Sequence, residues 1–333
     1  MQAAGDYVKA IVGPARSGTT WIGTVINSHP DVVYRFEPFN RLRHCDSKIS
    51  ELSYALKSGK ITESQAIEIH TALLKAHPLS DKPPFFNQKS YPLFSVGKNK
   101  AWVLSRLLSS FSGLYKVAYS PRKLVPVIFK EVTFVEQFNA LLKNTSVPVV
   151  YVVRHPCATV LSDFKGQIKQ KMPTGRQTVL KTLLKRHSPD LFEQYKNRLE
   201  KLTQIEKTAL LWRIEVESCV SAAKHSSQGL IISYERFAED AYTYANQIFE
   251  HFGLDFAQET GQFLDRIYSI NSPADIPHRS REWGNKFFTI YRNPKTQKDA
   301  WKAAISAEDR KKIEAIVTDS EVFDFCAALS GWT

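Results

Sequence analysis

Residues 13–20 carry the side chains of this sequence that are best suited to binding a phosphate-like anion. Gly13 and Gly18 frame a loop that holds one cation, Arg16. The hydroxyl groups in and after the loop belong to Ser17, Thr19 and Thr20. Backbone N–H groups of such a loop and the positive end of a following helix dipole bind anions, and the cation and hydroxyls add further donors. The pattern predicts an anion-binding loop between a strand and a helix.

The same loop differs from a nucleoside-triphosphate site at one position. The spacing from Gly13 to Gly18 is that of the P-loop, but Thr19 stands where the P-loop has a lysine that reaches the β- and γ-phosphates. The best strand candidates do not end in the aspartate that would hold Mg²⁺, since the apolar run 147–153 ends in Arg154. A P-loop kinase of a small metabolite is therefore the alternative, and the pattern favours an anion neutralised by arginines and hydroxyls without a metal.

A second candidate cation follows another predicted strand. Arg154 comes directly after the run 147–153, Pro156 suits the first turn of a helix, and Ser162 lies about two turns into that helix. Ligands of doubly wound proteins bind at the carboxyl edge of the parallel sheet, where strand ends meet. We therefore expect Arg154 and Ser162 to lie beside the loop 13–18.

Together the two motifs resemble the donor-binding elements of sulfotransferases that use 3′-phosphoadenosine 5′-phosphosulfate (PAPS). The sequence Pro-Ala-Arg-Ser-Gly-Thr-Thr-Trp at 14–21 is similar to their 5′-phosphosulfate loop, in particular that of the carbohydrate-type branch. The sequence at 151–162 is similar to the strand, loop and helix that hold the 3′-phosphate, with the family's arginine at Arg154 and its serine at Ser162. The resemblance implies that PAPS is the donor, that residues 16–20 bind it and that Trp21 stacks on adenine.

Sulfuryl transfer to a hydroxyl group needs a base for the attacking oxygen. Glu37 is the predicted base because it ends the second predicted strand and precedes a proline, and carbohydrate-type sulfotransferases place a Glu-Pro pair in a similar way. A glutamate at a strand end can instead pair with Arg35 or Arg41. His29 and His44 are the alternative bases.

The resemblance also implies roles for residues further along the chain. Lys130, at the end of a third apolar run, matches a lysine that bridges the sulfuryl and leaving-group oxygens, and Arg16 is expected to stabilise charge on the bridging oxygen. Tyr234 matches a tyrosine that contacts the nucleotide base. Lys295 and Trp301 match the lysine and tryptophan of a loop that closes over the 3′-phosphate, although a proline and a threonine replace that loop's arginine and glycine.

Strands and helices alternate in the pattern around these residues. The predicted strands are 7–12, 32–37, 125–130, 147–153 and 229–233, and the predicted helices are 18–28, 133–143, 156–170, 203–225, 240–252 and 307–329. Such alternation predicts an α/β fold, a single domain over residues 1–333 with a central parallel sheet and helices on both faces. Residues 41–120, with two helix-like pieces and a loop-rich part at 78–97, and residues 270–300 are expected to form the acceptor pocket and a lid.

The chain of 333 residues has a formal net charge of +12, which indicates an anionic partner or a role in solubility. Nucleic acid is one candidate. A doubly phosphorylated donor with a carbohydrate or glycolipid acceptor, itself neutral or acidic, is the candidate that we favour. The stretch 165–186 contains basic but no acidic residues and either lines the acceptor entrance or forms a solvated face.

Four scattered cysteines, without metal or redox spacing, are typical of free thiols in a reducing compartment. No apolar run reaches the length of a membrane span, and no signal peptide precedes the first predicted strand. We therefore expect a cytoplasmic enzyme.

Overall fold

Five parallel strands form the centre of the computed structural model, which describes residues 3–170, 179–272, 291 and 293–332. The strands are β1 Val8–Gly13, β2 Val33–Phe36, β3 Val127–Val132, β4 Val149–Val153 and β5 Gly229–Ser233. Their order in the sheet is β2-β3-β1-β4-β5, with every neighbouring pair parallel. The prediction of a parallel α/β sheet is confirmed, and all five predicted strands are present with shifts of a few residues at their ends.

Alternate residues of the strands enter two apolar clusters on opposite faces of the sheet, as the two-residue period of a strand requires. On β1, Ala10 and Val12 belong to one cluster and Ile11 belongs to the other. On β4, Tyr151 belongs to the first cluster and Val152 to the second. Because both faces are buried, the strands are rich in apolar residues, and β4 is a continuous apolar run.

Helices cover both of these faces. Up to the first gap in the described residues they are α1 Ala4–Tyr7, α2 Thr19–Asn27, α3 Pro38–Arg41, α4 Ser47–Lys57, α5 Glu63–Leu74, α6 Lys98–Leu107, α7 Ser112–Tyr119, α8 Val135–Asn144 and α9 Pro156–Ile168. Beyond it they are α10 Leu180–His187, α11 Pro189–Tyr195, α12 Gln204–Lys224, α13 Tyr234–Glu239, α14 Ala241–His251, α15 Gln258–Tyr268, α16 Pro294–Lys298, α17 Ala307–Val317 and α18 Glu321–Ser330. The prediction of helices on both faces is confirmed.

Two predictions about helices were wrong in detail. The helix predicted over 307–329 is two helices, α17 and α18, because Ser320 begins a new helix by accepting a hydrogen bond from the Phe323 amide. The apolar spacing continues across this break, so periodicity alone does not show it. Residues 41–120 contain four helices, α4 to α7, rather than two helix-like pieces.

A buried ionic network joins the 41–120 region to the sheet. The Arg35 guanidinium on β2 lies 2.7 Å from one carboxylate oxygen of Asp81. The other oxygen of Asp81 accepts hydrogen bonds from the Lys98 ammonium at 2.9 Å and from the Tyr115 hydroxyl at 2.7 Å. Burial acts to raise the pKa of Asp81, but Arg35 and Lys98 outweigh it and hold the pKa below its ordinary value. Asp81 therefore fixes α6 and α7 to β2 as an ionised group.

Asp81→Ala is expected to lower the free energy of unfolding by about 3–5 kcal/mol, since it leaves Arg35 and Lys98 buried without their common anion. Urea unfolding followed by fluorescence measures the change. Asp190→Ala is the matched control, because Asp190 is exposed, and we expect it to change stability by less than about 0.5 kcal/mol. Equal effects of the two substitutions would contradict a structural role for the network.

Candidate active site

The loop between β1 and α2 has its two glycines where no side chain fits. A Cβ on Gly13 would lie 2.6 Å from the carbonyl oxygen of Val152, and a Cβ on Gly18 would lie 2.2 Å from the Tyr234 ring. Gly18 also has a φ of 94°, in the left-handed region that glycine adopts without strain. The loop is therefore closed by β4 on one side and by Tyr234 on the other.

Strained backbone lies at the same edge of the sheet. Arg16, Glu37 and Thr133 are non-glycine residues with positive φ, of 71°, 50° and 53°. Arg16 lies in the loop after β1, and the other two lie directly after the ends of β2 and β3. Non-glycine residues in this conformation cost about 1–3 kcal/mol each and cluster at functional sites. Three of the four non-glycine residues with positive φ in the described part of the chain thus lie at the carboxyl edge of the sheet.

Polar groups at the loop are poised to bind an anion. The Ser17 hydroxyl is buried and has no hydrogen-bond partner among the described residues. Thr19 is buried and Thr20 is half-buried at the start of α2, where the first-turn amides have no intrahelical acceptor. A buried hydroxyl without a partner is costly in free energy, and an anion in the loop would remove that cost.

Two predicted phosphate sites meet directly at the loop. The Arg16 Nε donates a hydrogen bond to the Ser162 hydroxyl at 2.9 Å, and the Arg154 guanidinium donates one to the Arg16 carbonyl oxygen at 3.1 Å. The Arg154 guanidinium also lies 4.3 Å above the Tyr234 ring. Its Nε is buried without a hydrogen-bond partner in the described ranges. The structure therefore brings Arg16, Arg154, Ser162 and Tyr234 together, as expected from the sequence.

Trp21 lies on the first turn of α2 and packs against aromatic side chains. Its ring meets Phe237 edge-on at 4.9 Å and Tyr234 edge-on at 6.4 Å between centroids. The side chain is buried in the apolar cluster on that face of the sheet, and its indole N–H has no partner among the residues described. Trp21 is therefore a core residue that also lies beside Tyr234 at the loop.

A second cluster forms around Glu37, at the end of β2. The Lys130 ammonium lies 2.7 Å from one carboxylate oxygen of Glu37, and the Arg41 Nε lies 3.8 Å from the other. Burial acts to raise the pKa of Glu37, but the charges of Lys130 and Arg41 outweigh it and hold the pKa below its ordinary value. Arg35, the other predicted pairing partner, instead binds Asp81. The carboxyl of Glu37 is thus ionised and held between two cations.

Glu131, the residue after Lys130, lies next to this cluster and binds the start of α3. One carboxylate oxygen of Glu131 accepts hydrogen bonds from the backbone amides of Phe39 at 2.8 Å and Asn40 at 3.2 Å, at the start of α3. Burial, with a contribution from the nearby charge of Glu37, raises the pKa of Glu131 to about 8. Glu131 was not predicted as a site residue, although its position next to Lys130 near the end of a strand could have indicated one.

Lys82 is a further basic residue near Glu37 that was not predicted as a site residue. Its ammonium lies 3.9 Å from the centroid of the Phe36 ring, and the Lys130 ammonium lies 4.6 Å from the same centroid. Burial, with the charges of Lys130 and Arg16 and against the attraction of Glu37, lowers the pKa of Lys82 to about 7. Lys82 therefore lies between the loop and the Glu37 cluster. Its position in a loop-rich segment, before two prolines, carries no pattern that predicts this.

The two residues that were predicted to close over the 3′-phosphate have different contacts in the structure. Trp301 is buried and its ring stacks on that of His155, with 4.2 Å between the ring centroids. His155 directly follows Arg154 in the sequence. Lys295 lies on α16, with its ammonium 5.3 Å from the Tyr268 ring centroid, and no described contact joins it to Arg154. Of the region 270–300 that was expected to form a lid, residues 273–290 and 292 lie outside the described residues.

Neither alternative base lies with Glu37. His29 follows the C-terminal end of α2, which is the amino edge of the sheet, and packs against Phe249 at 5.3 Å. His44 is exposed and accepts a hydrogen bond from Arg43.

In the basic stretch 165–186, residues 171–178 lie outside the described ranges.

No group of three or more His, Cys, Asp or Glu side chains is placed to hold a metal ion within the described residues. No helix in those residues has the length and apolar character that crossing a bilayer requires. Cys45 is exposed and the other three cysteines are buried, all as free thiols.

Comparison with known proteins gives one family. The family model described as a sulfotransferase domain matches residues 9–321 of this chain, whereas a comparison with curated proteins finds no match.

Similar solved structures include the sulfotransferase domain of the Synechococcus PCC 7002 olefin synthase, which is 13% identical, with 94% of this chain and 95% of that chain covered and a TM-score of 0.44. A mouse sulfotransferase complexed with PAP is 13% identical, with 98% and 90% covered and a TM-score of 0.44. A sulfotransferase from Alicyclobacillus acidocaldarius is 14% identical, with 95% and 97% covered and a TM-score of 0.38.

Gly18→Ala is expected to destabilise the protein by about 1–3 kcal/mol more than Gly59→Ala. Both glycines have positive φ, but only at Gly18 does a Cβ meet another group, the Tyr234 ring, whereas Gly59 has nothing within 4 Å. Urea unfolding of the two variants measures the difference. In a Tyr234→Ala background the extra cost of Gly18→Ala should largely disappear. An equal cost at both glycines in the native background would show that Tyr234 does not close the loop.

Proposed function

We propose that this chain, which belongs to the sulfotransferase domain family, transfers a sulfuryl group from PAPS to a hydroxyl group of an acceptor. The motifs at 14–21 and 151–162 predicted this family from the sequence, and the family match confirms it. The observation that carries the choice of donor is the direct contact between these motifs, in which Arg16 binds Ser162 and Arg154 binds the Arg16 carbonyl oxygen.

The donor would be held at the carboxyl ends of β1 and β4. When bound, PAPS supplies a sulfuryl group on a phosphate that leaves as adenosine 3′,5′-bisphosphate. The loop amides of residues 16–20, with the hydroxyl of Ser17, bind the 5′ end, where a helix N-terminus favours negative charge. Arg154 and Ser162 bind the 3′-phosphate. Tyr234 and Trp21 form the aromatic wall for the adenine base, supported by their mutual contact beside the loop.

Glu37 would act as general base toward the acceptor hydroxyl. A general base must be ionised before it accepts a proton, and Lys130 and Arg41 keep Glu37 ionised in spite of its burial. Lys130 and Arg16 would stabilise negative charge on the oxygens around the transferred sulfur, which a preorganised cation does without reorganisation. The acceptor oxygen would bond to sulfur on the side opposite the leaving phosphate, whose bond to sulfur breaks. Glu37 would take the proton of the acceptor hydroxyl.

The acceptor is proposed to be a carbohydrate or a glycolipid. This proposal is supported by the carbohydrate-type sequence at 14–21 and by the Glu-Pro pair at the end of β2. The region 41–120 would form the acceptor pocket, since Asp81 fixes it to β2 and Lys82 brings a cation to the Glu37 cluster. A cation at this position suits an acceptor that carries a carboxylate or sulfate group.

Arg154→Ala and Arg16→Ala are each expected to raise the Kd for adenosine 3′,5′-bisphosphate by about 10- to 100-fold, since each removes charge-assisted hydrogen bonds. Glu37→Gln is expected to keep that affinity while turnover falls by about 10²- to 10⁴-fold, as for loss of a general base. Isothermal titration calorimetry and labelled sulfate transfer from PAPS to glycans measure the two quantities.

Arg43→Ala is the control for these substitutions, because Arg43 is exposed and lies outside both clusters. Unchanged nucleotide affinity in the Arg16 and Arg154 variants would contradict the proposed donor site. Phosphoryl transfer from ATP that depends on Mg²⁺ would instead support a kinase.

Turnover is expected to persist to a pH below the ordinary carboxyl pKa, because the folded pKa of Glu37 is lowered and the base is lost only as the pH falls through that value. Lys130→Met removes the largest opposing charge and leaves burial dominant, so the acid limb of kcat/KM should move to higher pH. Lys82→Met should move it in the same direction by less. Profiles of kcat/KM against pH for the three proteins test this, and an acid limb at the same pH in all of them would exclude Glu37 as the titrating base.

A further inference from the structure

Residues 93–124 expose large apolar side chains to solvent. Ten of the fifteen exposed large apolar side chains in the described residues fall in this segment. The most exposed include Leu107 at 75%, Val117 at 72% and Leu114 at 67%. Single exposed apolar residues are normal, whereas a contiguous group of them marks an interaction site. We call this group the 93–124 surface.

The helix α7 shows that this exposure is organised by face. Leu114 and Val117 are three residues apart and exposed, whereas Tyr115 and Tyr119 are four residues apart and buried on the other side. Phe111, three residues before Leu114, is also exposed. Spacings of three and four place residues on one helix face. The helix thus turns its aromatic face inward and its aliphatic face to solvent.

Backbone contacts bring the preceding segment to the same place. The Phe94 amide donates a hydrogen bond to the Ala118 carbonyl oxygen at 3.2 Å, and the Arg122 amide donates one to the Tyr91 carbonyl oxygen at 3.0 Å. The Tyr119 hydroxyl bonds the backbone of Val96. The exposed side chains of residues 93–96 therefore lie beside α7, so the 93–124 surface is continuous across the two segments.

Charge in this part of the chain has a single sign. Between Asp81 and Glu131 the sequence contains nine lysines and arginines and no acidic residue. On the 93–124 surface, Lys100, Arg106 and Arg122 are exposed and have no carboxylate partner among the residues that the structure describes. Apolar side chains bordered by unpaired cations are the pattern of a helix that lies in the interface of a bilayer with anionic lipids.

We propose that the 93–124 surface docks on a lipid bilayer that contains anionic lipids. A bilayer offers an apolar interior beneath a layer of negative headgroups, and this matches aliphatic side chains surrounded by cations without requiring a shaped groove. Docking would also place the Glu37 cluster near the membrane, because Lys98, the first residue of α6, binds Asp81, which directly precedes Lys82. The docking proposal does not depend on the identity of the donor.

Co-sedimentation of the full chain with vesicles tests the proposal. We expect binding to vesicles of phosphatidylcholine and phosphatidylglycerol, weaker binding to phosphatidylcholine alone, and a decrease with added salt because salt screens surface charges. A variant with Leu107→Ser, Leu114→Ser and Val117→Ser should partition at least about tenfold less, since three large apolar groups are lost. A variant with Lys100→Glu, Arg106→Glu and Arg122→Glu should lose the preference for phosphatidylglycerol.

Tyr54→Ser with Ile168→Ser is the matched control, since both residues are similarly exposed and lie outside the surface. This variant should bind vesicles as the native chain does, and near-ultraviolet circular dichroism should show that all variants are folded. Absence of vesicle binding, or equal binding by the serine variant, would overturn the proposal. A dimer in light scattering that the serine variant abolishes, with no vesicle binding, would show that a second copy covers the surface. Nucleotide affinity, measured separately, reports on the donor site alone.

Discussion

The contact between the ends of β1 and β4 is the constraint on which the rest of the site depends. Parallel pairing of these strands brings the loop at 13–18 and Arg154 to one edge of the sheet, although more than a hundred residues separate them in sequence. Arg154 then bonds the backbone of Arg16, whose side chain reaches Ser162. Arg154 is thus held by the backbone of Arg16, and the Arg16 side chain is held by Ser162 on the helix that follows Arg154, so the site depends on both motifs.

The cluster around Glu37 likewise depends on the pairing of neighbouring strands, in this case β2 and β3. Pairing of β2 with β3 sets Phe36 opposite Lys130, and the following residue, Glu37, meets the Lys130 ammonium. A carboxylate at the end of a buried strand would take up a proton, but the cations around Glu37 prevent this, while Glu131 is the group whose pKa rises. Burial and neighbouring charge thus give two nearby glutamates different protonation.

Much of this arrangement could be predicted from the sequence because it is local. Apolar runs that end at Arg154 and Glu37 mark strand ends, and parallel strands bring their ends to one edge. The run that ends at Lys130 marks the third strand, although β3 continues two residues further to Val132. Lys82 could not be found in this way, because its position depends on a long connection held by Asp81 to Arg35, a pairing of distant residues. The stacking of Trp301 on His155 and the break at Ser320 likewise depend on tertiary packing and on a capping hydrogen bond.

The proposed donor site requires that Arg16 and Arg154 hold opposite ends of one nucleotide. A crystal structure of the protein with adenosine 3′,5′-bisphosphate tests this most directly. The 5′-phosphate should lie against the loop amides and Arg16, and the 3′-phosphate should lie against Arg154 and Ser162. A nucleotide bound elsewhere, or Arg16 and Arg154 pointing into separate cavities, would contradict it.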